Sequence, residues 1–389
     1  MAQTSNYRWA VLFASFFAFV AFAFVFQLMP SLVDFVKRDF AINDTEFGLL
    51  STVVMVPGIF IALPFGLVVN KYGFRTLGFL STILAALGGL ITALSPTYTI
   101  AILGRVILGI GGAFIIVGTP TLIPQWFPHK ESGKAMGVFS ANMPVATIIA
   151  FPTALILADA YGWRSAFYVG SVAAVIAAVI FLVLVKEGPL KGQQLTAVQW
   201  KDAMQAIRTA EVWKASVIWM LFNATAIAFL TFAPTLFETF KGLEPLDARI
   251  LASVLMYAAA VLVPVFGWVS DKSGKRKSFM IVGGVMLGLA LNAASYATGF
   301  SLILSVTVLG IAAAMVPPLV MAVTADSLPP HLAGTGFSIV TFCQNIGIAA
   351  SGPVAGYILQ TTGRLDSTFL GISVFSFAAA ATALRLKSK

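Results

Sequence analysis

The chain has 389 residues, of which 59% are hydrophobic and only 10% charged, and its mean hydropathy is +0.94. A soluble surface takes roughly 25% charged residues, so this composition excludes a water-exposed globular domain and points to a multispanning membrane protein. The formal charge of +9 does not indicate nucleic-acid binding, because Lys and Arg are scattered between apolar runs without a continuous basic face. The single cysteine, Cys343, lies in an apolar stretch and excludes an intramolecular disulfide or a cysteine metal cluster.

The first apolar run, 8–29, is too long for a signal-peptide core and lacks a small-residue cleavage site, so it is expected to be a span. Its phenylalanines, including Phe13, Phe16, Phe17, Phe19, Phe22, Phe24 and Phe26, cover several faces and suit lipid contact and packing. Further runs follow at 45–69, 77–94, 99–123, 133–157 and 165–185, then at 213–235, 249–270, 278–297, 301–325, 334–359 and 367–385. Each can supply the roughly 20 apolar residues a span needs. Backbone groups in hydrocarbon must be bonded within their own segment, which makes these runs helices. The expected fold is all-α and integral to the membrane, with twelve transmembrane helices in two pseudo-symmetric six-helix bundles, 1–185 and 213–389.

With the N-terminus inside, 17 Lys and Arg fall on the cytoplasmic side and 6 outside, the outer set being Lys37, Arg38, Arg164, Lys241, Arg249 and Arg364. That asymmetry predicts cytoplasmic termini in a cell membrane. In the connection 186–212, Trp200, Ala203, Met204 and Ile207 follow helical spacing, with Thr196 and Gln199 as a capping box. An interfacial helix on the inner leaflet is expected there, against the alternative of a solvated linker.

An internal repeat ties the bundles together. Gly66-x-x-x-Asn70-Lys71-x-Gly73-x-Arg75 recurs 201 residues later as Gly267-x-x-x-Asp271-Lys272-x-Gly274-x-Arg276. The same shift carries Leu108-Gly109-Ile110 onto Leu309-Gly310-Ile311, Pro152 onto Pro353 and Gly162 onto Gly363. Upstream the shift is 204 and pairs Pro30, Asp34 and Lys37 with Pro234, Glu238 and Lys241. Each repeat holds an even number of spans, so the halves are parallel and related by an axis along the membrane normal.

The repeated loop motif resembles the signature of the major facilitator superfamily, as do Gly104-Arg105 with Gly109 and Gly111, and Asp159-x-x-Gly162-Trp163-Arg164-x-x-Phe167. The resemblance covers essentially the whole chain. It implies rocker-switch alternating access about a cavity lined mainly by helices 1, 4, 7 and 10. It also implies that the acidic loop position helps to lock a cytoplasmic gate. That gate would comprise Gly66, Asn70, Lys71, Gly73, Arg75 and Gln125 in the first half, and Gly267, Asp271, Lys272, Gly274, Arg276 and Asp326 in the second. Asn70 and Gln125 stand opposite Asp271 and Asp326 in the repeat, so a charge-assisted latch is expected in the second half and neutral hydrogen bonds in the first.

None of the fifteen acidic residues lies mid-span, so the simplest proton-coupling device is missing. Span 5 departs from the drug-exporter pattern of the family, with Phe151 and Leu155 around Pro152; Gly352-Pro353-x-x-Gly356 in span 11 keeps part of it. Arg105 is the one intramembrane charge, placed at about 2.5–3.5 kcal/mol on insertion scales. It reads either as an anion-attracting group or as a fixture bonded to backbone carbonyls; its repeat partner is Val306. Asn142, Asn223, Tyr257, Gln344 and Asn345, with Gln27 nearer the outer mouth, complete the candidate substrate-binding residues. Helix–helix hydrogen bonding is the alternative role of each amide.

Trp126-Phe127-Pro128 followed by Lys134, Ala135 and Gly137 resembles the inner loop of organic-anion branches of the same superfamily. No phosphate-binding loop or HExxH motif is present, and His129 and His331 fall in inner loops, so no cofactor or metal is implied. The reading is secondary or facilitative transport of a small solute, with an organic anion favoured and the coupling ion, proton or sodium, left open. A neutral or amphipathic solute carrier and a non-transporting membrane sensor are the alternatives. A monomer in the lipid bilayer is expected, with a small-molecule substrate, no nucleic acid and no catalytic residues.

Overall fold

The computed structural model describes residues 6–61, 65–127, 135–186, 200–329 and 332–387. Among the described residues twelve helices are long and apolar enough to cross a membrane. Spans 1 to 6 are Tyr7–Phe40, Asp44–Ile61, Tyr72–Leu94, Tyr98–Leu122, Ala135–Tyr161 and Arg164–Leu184. Spans 7 to 12 are Ala210–Lys241, Pro245–Ser270, Arg276–Tyr296, Gly299–Asp326, Thr335–Thr362 and Leu365–Leu384. No strand occurs among the described residues. Span 6 presents Val172, Val175, Ile176, Val179 and Val183 outward, as its apolar sequence suggests.

The repeat glycines share a positive φ that explains their residue type. Gly73 and Gly274 have φ of 76° and 64°, and Gly162 and Gly363 have φ of 83° and 60°. Positive φ crowds a Cβ, so these reversals favour glycine in both halves.

Cα packing divides the chain into two compact units, Met1–Leu28 with Val53–Val198, and Met29–Thr52 with Gln199–Lys389. The boundary departs from the sequence halves in one segment, residues 29–52, which belong by sequence to the first half. Both junctions of that segment are breaks in α-helix. Span 1 passes through a 3-10 turn at Met29–Leu32, and span 2 through another at Val53–Met55. Pro30 lies within the first turn and Pro57 follows the second, and neither can return an N–H to the helix. The matching spans of the second half are unbroken, as α-helix runs over Ala210–Lys241 through Pro234 and over Pro245–Ser273.

Each unit caps the sixth helix of its repeat with side chains, because the last carbonyls of a helix lack intrahelical donors. In the first, Arg75 Nε donates to Leu182 O at 2.8 Å, Tyr7 Oη to Leu184 O at 2.8 Å and Trp126 Nε1 to Lys186 O at 3.2 Å. In the second, Lys214 Nζ donates to Arg385 O at 2.8 Å and Lys277 Nζ to Leu386 O at 2.9 Å. Trp126, singled out in the sequence by its loop pattern, thus ties the end of span 4 to the end of span 6.

The connecting helix spans Trp200–Arg208, while Thr196 and Gln199 lie outside the described residues. Ala206 is buried with Val212, Leu328, Leu332 and Ile339, whereas Ile207, expected on the apolar stripe, is exposed. The helix is docked on its own unit through Ala206, with Ile207 of the expected stripe on its exposed side.

Replacing Gly274 by Ala is expected to cost about 1–2 kcal/mol from the left-handed backbone alone. Gly137→Ala, inside the start of span 5 where a Cβ meets nothing within 4 Å, should leave the melting midpoint in detergent unchanged or raise it.

Candidate functional site

Span 4 brings the sequence motif Gly104-Arg105, Gly109 and Gly111 into contact with three neighbours in the first unit. A Cβ on Gly104 would lie 2.7 Å from Thr92 N, and one on Gly111 would lie 2.3 Å from Ser81 O, both in span 3. A Cβ on Gly109 would lie 2.0 Å from Val54 O, inside the 3-10 turn of span 2. The glycines therefore admit backbone where any side chain would collide.

Arg105 sits on this helix one turn before Gly109 and is fully buried, at 0% exposure. Its Nη1 donates to Val25 O and its Nη2 to Phe26 O, each at 3.3 Å, and its guanidinium lies 5.6 Å from the centre of the Phe26 ring. The bond to Phe26 has a covalent cause. In a continuing α-helix residue 30 would donate to the carbonyl of residue 26, and Pro30 has no N–H. Arg105 supplies the donor that proline removes. Beside it Gln27 Nε2 donates to Thr147 Oγ1 of span 5 at 2.7 Å, and both residues are buried. Asn142 is buried where span 5 resumes after a turn at Ser140–Ala141. Phe22 and Phe26 stack at 6.4 Å and are buried, so this part of the phenylalanine series packs inside the unit.

In the second unit the remaining candidates gather around Trp219, which the sequence reading did not single out. Trp219 Nε1 donates to Gln344 Oε1 at 2.9 Å, Asn223 Nδ2 donates to Trp219 O at 2.8 Å, and the Trp219 ring stacks on Phe222 at 5.5 Å. Asn345 is buried next to Gln344. Tyr257 stands apart from these bonds with 44% exposure.

The gate residues divide similarly. Arg276 Nη1 pairs with Asp326 Oδ2, and 54% of the Asp326 side chain is exposed. Lys272 Nζ lies 5.1 Å from the Trp268 ring centre. A Cβ on Gly267 would make only ordinary contact with Pro318. In the first half Arg75 Nε donates to the carbonyl of Leu182, and Gln125 Nε2 donates to Thr121 O on its own helix at 3.3 Å. An amide offers Arg75 no charged acceptor, and a helix-end carbonyl within reach takes its place. Gly66 lies in the helix Phe65–Leu94, and the side chains of Asn70, Lys71 and Asp271 lie outside what the structure describes.

Arg249 carries more than the topological charge assigned to it from sequence. It is 2% exposed, donates from Nε and Nη2 to Ser31 O at 3.2 and 2.8 Å and from Nη1 to Pro245 O at 2.8 Å, and pairs with Glu238. Its position near a loop gave no sign of burial, because the acceptor lies 218 residues away in sequence. Among the described residues no group of three or more His, Cys, Asp or Glu could hold a metal.

A polytopic helical bundle with an internal parallel repeat and buried polar side chains in its spans defines a membrane transporter. Residues 11–248 and 229–389 match the Major Facilitator Superfamily, and the chain belongs to it; members of this family are transporters, not enzymes. The chain is 25% identical over 382 residues to the "Probable nitrate transporter NarT" of Staphylococcus carnosus (strain TM300), covering 95% of this chain and 94% of that one. It is also 25% identical over 276 residues to the "Nitrite extrusion protein" of Bacillus subtilis (strain 168), covering 70% and 68%. In fold it is similar to the crystal structure of a bacterial homolog to the human lysosomal transporter Spinster, with TM-score 0.79, 16% identity, and coverage of 98% and 95%.

Arg105→Gln is expected to lower stability in detergent by about 1–3 kcal/mol, the usual cost of a buried acceptor left unbonded. Arg105→Lys should fall between wild type and Gln, since an ammonium cannot span both carbonyls as a planar fork does. Thermal unfolding of the three proteins orders them.

Proposed function

We propose that the chain is a secondary transporter of a small monovalent anion in the plasma membrane, with both termini cytoplasmic. The observation that carries this reading is Arg105, a fully buried cation in a sequence whose spans contain no mid-span carboxylate. A positive charge held in a low-dielectric interior favours an anion nearby, and one charge balances a single negative charge better than two. Relatives named for nitrate and nitrite fit such a substrate. An organic monocarboxylate has the same charge and a similar planar oxygen pair, and it stays within the proposal. Transport would proceed by alternating access, and the exposed Arg276–Asp326 pair is suited to a contact that forms and breaks in each cycle.

A neutral solute is the second reading, and one observation favours it: the Arg105 guanidinium already donates to two main-chain carbonyls. Counterflow in proteoliposomes separates the readings, using nitrate, nitrite, a short monocarboxylate, a monovalent organic cation and a neutral sugar. The panel is run with and without pH and sodium gradients. Saturable anion flux, reduced at least about tenfold in folded Arg105→Lys, is the expected result. Flux of neutral compounds alone would overturn the anion reading, and absence of all flux from folded protein would point to a sensor.

A further inference from the structure

In span 11 Ile346 is exposed and apolar, and Gln344, two residues earlier, stands about 160° round the helix from it. Gln344 is nevertheless partly exposed. A primary amide open to hydrocarbon would be left unbonded at high cost, so the space that Gln344 meets is polar. Its neighbour Asn345 gives a second sign of this. Asn345 is 3% exposed, yet its amide has no hydrogen-bond partner among the described residues, and a solute or water has to supply one.

The Gln344 side chain is held there in one orientation. Trp219 Nε1 of span 7 donates to Gln344 Oε1 at 2.9 Å. An indole nitrogen only donates, so the end of the amide that meets it has to be the oxygen. The NH2 end is thereby turned away, and Gln344 Nε2 has no acceptor among the described residues. Stacking on Phe222, at 5.5 Å between ring centres and 12° between planes, holds the indole in place. Gly347, one turn beyond Gln344, sets the spacing of the two helices at this level, since a Cβ there would lie 2.4 Å from Met220 O. Asn223 Nδ2 donates to Trp219 O at 2.8 Å and so braces span 7 from the next turn.

We infer that Gln344 is a substrate-binding donor whose orientation is set by Trp219, and that this seam of spans 7 and 11 takes an acceptor oxygen of the transported anion. This rests on the anion reading and concerns the second unit alone. A buried cation attracts anions of any shape, whereas an N–H fixed in direction selects one with an acceptor atom at the matching place. A solute whose polar groups are donors, such as an organic cation, meets another donor at Gln344 and is disfavoured. Trp219 is a positioning residue, because it acts on the solute only through the amide.

Calorimetric binding of nitrate and of formate to the purified full chain in lipid nanodiscs tests this with wild type, Gln344→Met, Trp219→Phe and the double variant. Gln344→Met keeps the side-chain length but removes the donor, and should weaken binding about tenfold or more, as for loss of a hydrogen bond to a charged group. Trp219→Phe keeps a ring against Phe222 and frees the amide to turn over. With only one orientation competent, binding should weaken about two- to fivefold. In the double variant the tryptophan change should add nothing, because no amide is left to orient. An indole with a purely structural role would weaken binding equally in both backgrounds, and that result would overturn the inference. So would unchanged binding in folded Gln344→Met; if that variant does not fold, unchanged binding in Trp219→Phe overturns it equally. Wild type that binds neither anion overturns the anion reading together with this one. Binding weakened by Arg105→Lys but not by Gln344→Met removes the role of Gln344 alone.

Discussion

A carbonyl in the middle of a membrane helix must find a donor, because the hydrocarbon around it offers none. The organisation of this transporter turns on one place where sequence withholds that donor. Pro30 cannot bond back to Phe26, and a guanidinium from span 4 does so instead. A buried Arg that would otherwise be expensive gains carbonyl partners, while a helix interrupted by proline keeps its carbonyl bonded. Each defect answers the other.

Around Arg105 the glycines of span 4 set distances. Gly104 and Gly111 draw span 3 close, while Gly109 lets the broken turn of span 2 rest on the same helix. Span 4 is therefore packed backbone to backbone against spans 2 and 3 of its own unit. In the second half Val306 replaces Arg105 and span 7 continues through Pro234. The two halves share a repeat, but the 3-10 interruption belongs to only one of them.

What could be read from the sequence was whatever rests on covalent structure or on long periodic signals. The spans follow from apolar length, and the glycine pairs 73/274 and 162/363 follow from a residue type that only certain φ values require. Arg105 was visible as a charge in an apolar run, though its partners were not. Contacts between distant residues stayed hidden. Arg249 resembled any basic residue beside a loop until Ser31 closed on it, and Trp219 looked like one more apolar residue before Gln344 accepted its N–H. The 3-10 turns were hidden for another reason: Pro30 and Pro234 occupy the same repeat position, yet only one interrupts its helix. The difference lies in packing, which a linear pattern does not record. Gln125 shows the limit of reasoning by symmetry, since it faces its own helix where Asp326 reaches an arginine.

The central claim is that Arg105 substitutes for the N–H that Pro30 lacks, and a double-mutant cycle measures it directly. Pro30→Ala restores a helical donor to Phe26, so the stability lost in Arg105→Gln should shrink in the Pro30→Ala background by about 1 kcal/mol or more. Strictly additive losses in the two backgrounds would contradict the account.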